Sequence, residues 1–427
     1  MKLKQVRIDG YKNLIKAELD LGDFNVLVGP NNSGKSNLLE AIQMLGGLCF
    51  GDDKLRNAIF AGITPPSRWG TSVCHLRKHS SKPITIGVSF EINVKGEIWV
   101  ANYDVTIKCG WTETEKDTRG FISETLTAKQ PSATGPARTY IQRQDKELIV
   151  NAKSPHGIAR DNSSLLAIQS LYPDFEHLPD ELKESIRAIN EIGTLAVYSV
   201  STEDMRKVAG REKPIEGLHV SSFDLSFVVH KIKEESRFFE LFKEHICNIL
   251  ELEDLKLQAV KVPLPAKKEG KERHRRHIFL LVKRRGSDYS LIDEYSDGTF
   301  AAAALLAILI SEGDRRPILC IEEPENYLHP KALEKLATFL QDNADKWPVL
   351  ITTHSPYLLN CIRNPEDIKV AVVGEDGAVH FVPVRNNRVL RDYLKSGFMS
   401  FGDMLPSNFE DVLGEQRSVN AKSNASQ

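Results

Sequence analysis

Hydrophobic and polar residues alternate with two different periods along this chain, and the switches between them mark its organisation. Near the N-terminus "KQVRIDG" alternates at a period of two, as a half-buried strand does. "FNVLVG" (24–29) is a short unbroken apolar run, which predicts a strand covered on both faces. "SNLLEAIQMLGGL" follows at helical spacing, so Leu38, Leu39, Ile42 and Leu45 are expected on one side of a helix. From about 70 to 150, "ITIGVSFEINV", "EIWVANYDVTIKC", "GFISETLTA" and "KELIVNA" alternate again between glycines and charged turns. They predict an antiparallel meander beside the first strands.

Residues 160–250 read as mainly helical, through "LPDELKESIRAINEIGTL" and "SFDLSFVVHKIKEESRFFELFKEHICNIL". Neither stretch sustains heptads, so a long coiled-coil arm is not expected. Two further strands, "LKLQAVKVPL" and "HIFLLVKRR", flank the charged loop "PAKKEGKERHRR". After residue 290 helix and strand alternate: "GTFAAAALLAILI", "PILCIE", "PKALEKLATFLQD", "WPVLITTH". That order predicts a largely parallel sheet. "IKVAVV" and "AVHFVPV" make a last strand pair, and "EQRSVNAKSNASQ" reads as a disordered tail.

Composition narrows the class without naming a chemistry. At 427 residues, 41% hydrophobic and 27% charged, the chain has a soluble globular make-up and room for roughly two to three domains. A formal net charge of −2 gives the whole molecule no bias toward nucleic acid or membrane, so any such surface is local. The six cysteines (Cys49, Cys74, Cys109, Cys247, Cys320 and Cys361) form neither a CxxC pair nor a Cys/His cluster, which argues against a disulfide framework or zinc site. The longest apolar run, 300–310, is too short to span a bilayer. No signal peptide is read at the N-terminus, and a cytoplasmic location without membrane contact is expected.

Four stretches carry candidate chemistry. "GPNNSGKSN" (29–37) fits G-x-x-x-x-G-K-[ST] between a buried strand and a helix, the setting in which backbone amides converge on a phosphate. Gly29 and Gly34 allow the turn, Pro30, Asn31, Asn32, Ser33 and Asn37 fill it out, Lys35 reaches the β- and γ-phosphates, and Ser36 offers its hydroxyl to Mg²⁺. "ILCIEE" ends a strand in two acids: Glu322 in place to help hold the magnesium, Glu323 to orient or deprotonate water. "YSDGT" opens a long apolar helix; Ser296, with Asp297 and Gly298, is read either as a helix cap or as a second anion-binding N-terminus that completes another subunit's site. "VLITTHSP" is a further strand that brings His354 to the sheet's carboxyl edge, where ligands of parallel sheets bind.

In this order the four pieces resemble the ABC-type ATPases, nearer the small RecF-like and OLD-family members (the AAA_15/AAA_21 type) than transporter subunits. "GPNNSGKS" looks like their Walker A, "SDGT" stands where the signature does, "IEEPENYLHP" looks like Walker B and D-loop, and "THSP" like the histidine switch. The opening strand pair, "ISETL" and "MSFGDMLPSNFEDVLG" extend the likeness over about three-quarters of the chain. The resemblance implies an α/β fold: an ABC-type head whose P-loop mixed sheet carries an antiparallel β lobe, plus a mainly helical inserted subdomain. The expected units are 1–160, a mainly helical insertion with a strand pair and basic loop at 161–290, 291–415 and a tail at 416–427. ATP and Mg²⁺ are the implied cofactors, sandwiched in a head-to-tail homodimer that can build a higher oligomer. His354 would sense the γ-phosphate, and Asn326 to His329 would couple the two sites. Gln130 and Gln142 are weak candidates for the Q-loop glutamine.

The resemblance implies an ATPase acting as sensor, scaffold or switch for a separately encoded effector, such as a Toprim or HNH nuclease, as in the bacterial anti-phage systems PARIS and Septu. OLD nucleases carry a Toprim domain after the histidine switch, and this sequence runs only to residue 427, short of room for one. The alternative is a RecF-like, ATP-dependent DNA-binding clamp in repair or recombination; a third is a scaffold held together by nucleotide with negligible turnover. DNA is a candidate partner through the Lys267–Arg285 loop, whose Lys267, Lys268, Lys271, Arg273, Arg275, Arg276, Lys283, Arg284 and Arg285 fit phosphates as well as they fit a solvated loop.

Overall fold

The computed structural model describes residues 1–29, 33–61, 82–109, 119–173, 177–193, 197–199, 225–234, 236–263, 274–312, 317–326, 328–374 and 377–384. The chain opens with β1 (Lys2–Asp9), β2 (Ala17–Asp20) and β3 (Phe24–Val28), then α1 (Lys35–Phe50) and α2 (Asp53–Phe60). The meander follows as β4 (Ile84–Val94), β5 (Glu97–Lys108), β6 (Gly120–Lys129), β7 (Arg138–Gln144), β8 (Glu147–Val150) and β9 (His156–Gly157). Next come α3 (Ser164–Leu171), α4 (Asp180–Gly193), β10 (Val197–Ser199), α5 (Leu225–Glu234) and α6 (Ser236–Leu250). The strands β11 (Asp254–Pro263), β12 (His274–Lys283) and β13 (Ser290–Leu291) lead into α7 (Asp297–Glu312). The chain closes through β14 (Leu319–Glu322), α8 (Pro330–Asp342), β15 (Val349–Thr353), α9 (Pro356–Asn360), β16 (Ile368–Val373) and β17 (Val379–Pro383).

Two sheets divide the work. One has the order β2-β1-β4-β5-β6-β7-β8-β9 with every pairing antiparallel, as the period-two segments predict. The other has the order β10-β14-β15-β3-β16-β17, parallel from β10 to β16 with β17 antiparallel at its edge. A smaller antiparallel sheet, β11-β12-β13, stands apart from both. The architecture is thus the mixed α/β head with an antiparallel lobe.

The parallel sheet is a partition between two apolar cores, which is why its strands read as unbroken apolar runs. Leu27, Cys320 and Leu350 face one core, with the antiparallel sheet and α1 to α4. Val26, Val28, Ile321 and Ile351 face the other, with α5 to α9. The span read as a helical insertion is shared between these cores: Leu182, Ile186 and Ile189 of α4 join the first, Val229 of α5 and Phe242 of α6 the second. Besides the strand pair expected in it, that span contributes β10 to the edge of the parallel sheet beside β14. At three residues β10 is too short to carry a period of its own.

α1 corrects the one-sided helix expected from its spacing. Met44 and Cys49 are fully buried as well as Leu38, Leu39, Ile42 and Leu45, because the helix lies between sheet and α4 rather than on a surface. α7 is likewise enclosed from Phe300 through Ile310, and its apolar run makes the centre of the second core rather than a membrane segment. No described helix is long and apolar enough to cross a membrane.

Candidate functional site

β3 delivers the chain to Gly29, and α1 begins at Lys35 after a turn whose middle residues, Pro30, Asn31 and Asn32, lie outside the described residues. Gly34 has φ of +91°, a left-handed conformation that a side chain would strain, and a Cβ there would meet Val379 at 2.8 Å. A Cβ on Gly29 would sit 2.7 Å from the Ser33 hydroxyl and 2.9 Å from the Ala371 carbonyl, so the loop closes tightly only around glycine. The Lys35 ammonium donates to the Gly29 carbonyl at 2.6 Å and curls back over the loop. Burial pulls Lys35 below its ordinary 10.5, against the opposing charges of Glu323, Glu322 and Glu325. Asn37 turns away, donating from Nδ2 to Asn13 Oδ1 at 2.7 Å, and so ties the first helical turn to the β1–β2 connection.

The acids arrive from β14. Glu322, last residue of that strand, pairs in register with Thr352 of β15 and accepts the Ser36 hydroxyl at 2.5 Å. Residues 286 positions apart thus place a hydroxyl and a carboxylate side by side, as their spacing relative to the two strands predicts. Glu323 leaves the strand with φ of +46°. For a residue other than glycine this is a strained conformation, of a kind that persists where surroundings enforce it. Here its N–H donates to the Thr352 carbonyl at 2.9 Å, and its carbonyl accepts from Asn326 N–H at 3.1 Å. The bend carries its carboxylate to His354, whose Nδ1 lies 3.3 Å away, while Asn326 Nδ2 donates to its other oxygen at 3.0 Å. Burial works against the charge of Glu323, but Asn326, His354 and Lys35 together hold it below the ordinary 4.5, as a carboxylate.

Gly29, Ser33, Gly34, Lys35, Ser36, Glu322, Glu323 and His354 therefore gather at the carboxyl edge of the parallel sheet. Ser296, Asp297 and Gly298 open α7, where the Ser296 hydroxyl lies 3.1 Å from that of Thr299 and its carbonyl accepts from Thr299 and Phe300, a local cap. His329 caps α8 by accepting from Lys331 N–H at 3.4 Å, with Pro330 at the first helical position. Gln130 and Gln142 both lie in the antiparallel sheet region, Gln130 bonded to Glu97 and Gln142 exposed on β7. The strand that flanks Glu322 on its other side is β10, with Ser199 in register. Lys267, Lys268, Lys271 and Arg273 lie outside the described residues, as does "MSFGDMLPSNFEDVLG".

Sequence reading missed Glu325. It accepts the Thr353 hydroxyl at 2.5 Å and the His354 N–H at 3.1 Å, joining the turn after β14 to the end of β15. Its only trace in the sequence is a third acid two positions after Glu323. Lys12 was missed too: it pairs with Glu40 of α1, which also accepts from Tyr11, so the β1–β2 connection braces the helix behind the loop.

The donor set fits a nucleotide with a hard cation. Ser36 and Glu322 are adjacent oxygen donors of the kind Mg²⁺ takes. Among the described residues no group of three or more His, Cys, Asp and Glu could hold a metal by itself. The Ser33 hydroxyl is buried without a partner, a donor left over inside a loop built around the N-terminus of α1.

A family model described as "AAA domain, putative AbiEii toxin, Type IV TA system" matches residues 24–360, from β3 through α9. The chain belongs to this family of ATPase domains. Among curated proteins this AAA-family chain is similar to the DNA replication and repair protein RecF of Shewanella loihica, 47% identical over 47 residues, which are 11% of this chain and 13% of that protein. It is similar in the same measure to RecF of Proteus mirabilis, 51% identical over 47 residues with the same two shares. The match thus spans 13% of the length of those relatives. Among solved structures it is similar to the SMC head domain from Thermotoga maritima, at 14% identity and a TM-score of 0.40 over 90% of this chain and 99% of that one. An SMC head bound to the C-winged helix domain of ScpA gives 15% identity and a TM-score of 0.46 over 90% and 97%.

Proposed function

We propose that this chain binds ATP with Mg²⁺ at the carboxyl edge of its parallel sheet, hydrolyses it, and uses the cycle to switch a separate effector. The observation that carries the reading is the Ser36 hydroxyl resting on Glu322 at 2.5 Å beside the Lys35 ammonium. Amides of the loop and the N-terminus of α1 hold the β- and γ-phosphates, and Lys35 leaves the Gly29 carbonyl for them. Ser36 and Glu322 hold Mg²⁺, which when bound neutralises charge developing on the phosphoryl oxygens. Glu323 accepts a hydrogen bond from the attacking water and orients it in line with the γ-phosphorus; His354 contacts the γ-phosphate.

Ser296, Asp297 and Gly298 complete the site of a second copy, in a head-to-tail dimer. The place of Ser296, Asp297 and Gly298 at the start of α7 supports this, since the partial positive charge of a helix N-terminus attracts an anion. The effector is a separately encoded protein, a nuclease of Toprim or HNH type, in cytoplasmic defence against phage. Membership of a family that takes in AbiEii-type toxins of type IV toxin–antitoxin systems supports a partnered, defence-type role.

Turnover and sizing of Glu323→Gln test the enzymatic part. We expect at least about a hundredfold loss of ATP hydrolysis, the usual scale for a lost acid–base group, and an ATP-dependent shift to twice the mass. A parent protein that neither binds nor hydrolyses ATP would overturn the reading. Co-purification with the product of the neighbouring gene, with and without ATP, tests the effector. Tight, ATP-dependent duplex binding by the chain alone would instead favour the RecF-like clamp.

A further inference from the structure

Glu325 is an acid of this edge to which the proposed cycle gives no task, and it is well enclosed. Its side chain is 9% exposed, against 27% for Glu323 and 47% for His354. Oε1 is crowded: it takes the Thr353 hydroxyl and the His354 N–H, and lies 3.7 Å from His354 Nδ1. Oε2 of the same carboxylate is buried and has no hydrogen-bond partner. A bare buried carboxylate oxygen is a standing cost to a fold and marks a place where another state fills it. His354 Nδ1, meanwhile, is 3.3 Å from Glu323 Oε1, longer than the roughly 2.7–2.9 Å of a formed charge-assisted hydrogen bond. One ring nitrogen thus stands between two carboxylates, nearer to Glu323 than to Glu325.

We propose that Glu325 is a positioning residue, the alternative acceptor for the Nδ1–H of His354, and that the imidazole passes this hydrogen bond from Glu323 to Glu325 to free Glu323 for water. The inference rests on the ATPase reading above. The two acceptors are fixed from different sides. Glu325 is pinned to β15 by Thr353 and by the backbone of His354 itself, so the carboxylate stays while the ring turns. Glu323 is held on its far oxygen by Asn326 Nδ2, which leaves the near oxygen to His354 or to water. With Nδ1–H on Glu325, Nε2 is left for the phosphate side, and the state of the γ-phosphate is read by the same ring that releases the base.

Glu325→Gln keeps the volume and one oxygen for Thr353 and His354 N–H, but removes the carboxylate charge that would hold the Nδ1–H and the bare second oxygen. We expect kcat for ATP to fall about tenfold or more while KM stays within about threefold, the pattern of a lost positioning partner. In a His354→Ala background the same substitution should change kcat less than about twofold, since its effect runs through the ring. Losses that multiply across the two backgrounds would overturn the proposal. A readout independent of turnover is the ¹⁵N spectrum of the histidine ring nitrogens without nucleotide, with His354 identified by its loss in His354→Ala. Glu325→Gln should move the His354 ring signals and leave those of His329 in place; unmoved His354 signals would overturn the proposal. If the parent hydrolyses no ATP, the ATPase reading fails, while the ring-nitrogen spectrum still decides whether Glu325 orients His354. Should Glu325→Gln lose its cooperative unfolding transition, Thr353→Val, which removes one anchor of the carboxylate, takes its place with the same expected shift and the same contrary result.

Discussion

A buried ion pair of the antiparallel sheet and the carboxyl edge of the parallel sheet treat their polar groups in opposite ways, although Trp99 Nε1 and the Tyr140 hydroxyl of the antiparallel sheet are also buried without partners. In the antiparallel sheet, Glu124 of β6 and Arg143 of β7 are completely buried and pair at 2.7 Å. Around them every donor finds a place: Tyr103 and Ser164 donate to Glu124, and Arg143 also donates to the carbonyls of Asp145, Ala159 and Asn162. At the carboxyl edge of the parallel sheet, Ser33 Oγ, Thr352 Oγ1 and Glu325 Oε2 are buried without partners. Glu323 is bent into a left-handed conformation there, and burial pulls Lys35 below its ordinary pKa against the nearby acids. A saturated polar group is architecture, since nothing further can bind it without breaking something. Unsatisfied groups beside the phosphate-loop residues suit a site, because a ligand supplies the missing partners.

Breaking the saturated network should cost most. Arg143→Met leaves the Glu124 charge buried and alone, and we expect about 3–5 kcal/mol lost in urea unfolding. A loss under about 1 kcal/mol would show that the network is not structural and erase the contrast. Lys35→Met should do the reverse: nucleotide binding disappears, while unfolding free energy stays within about 1 kcal/mol of the parent. The sign follows from its lowered pKa. The unfolded chain holds this proton more tightly than the native state, so the ammonium opposes folding below the native value. The parent should therefore gain stability on Lys35→Met as pH rises through the native pKa toward 10.5. Glu323→Gly should relieve the strained backbone, raising stability by about 1 kcal/mol while ending turnover. A destabilised Glu323→Gly would mean that the bend is not held against a cost.

The smallest effect belongs to the third sheet. Asp254 of β11 is held down to about 2 by hydrogen bonds from Lys243 and Tyr289. That contribution to stability is present above the ordinary 3.8 and lost as pH falls toward about 2. Lys243→Ala should return the carboxyl toward 3.8 in an NMR titration without touching nucleotide binding, which makes it the control for a satisfied pair on the surface.

What could be read in advance was what is local. The glycine spacing of 29–36, the twin acids at a strand end and the histidine one strand on are each written within a few residues, and α/β alternation orders them. The burial of Glu40 on α1 was not legible, because it meets Lys12 and Tyr11 from a distant turn. β10 was missed for its length: three residues belong to a sheet only through parallel pairing with β14. The role of Glu325 depends on strand register, which sets Glu322 against Thr352 and so brings Thr353 and His354 over the following turn. Periodicity gives strands but not which of their ends will share a carboxylate.

The account stands on the claim that the unsatisfied edge, and not the saturated network, receives the nucleotide. Hydrogen–deuterium exchange of the full chain with and without Mg²⁺ and a non-hydrolysable ATP analogue tests it directly. The predicted result is new protection at 33–37, 322–326 and 352–355, with exchange at 121–128 and 140–144 unchanged. Protection centred on the antiparallel sheet, or none at the parallel edge under saturating analogue, would contradict it.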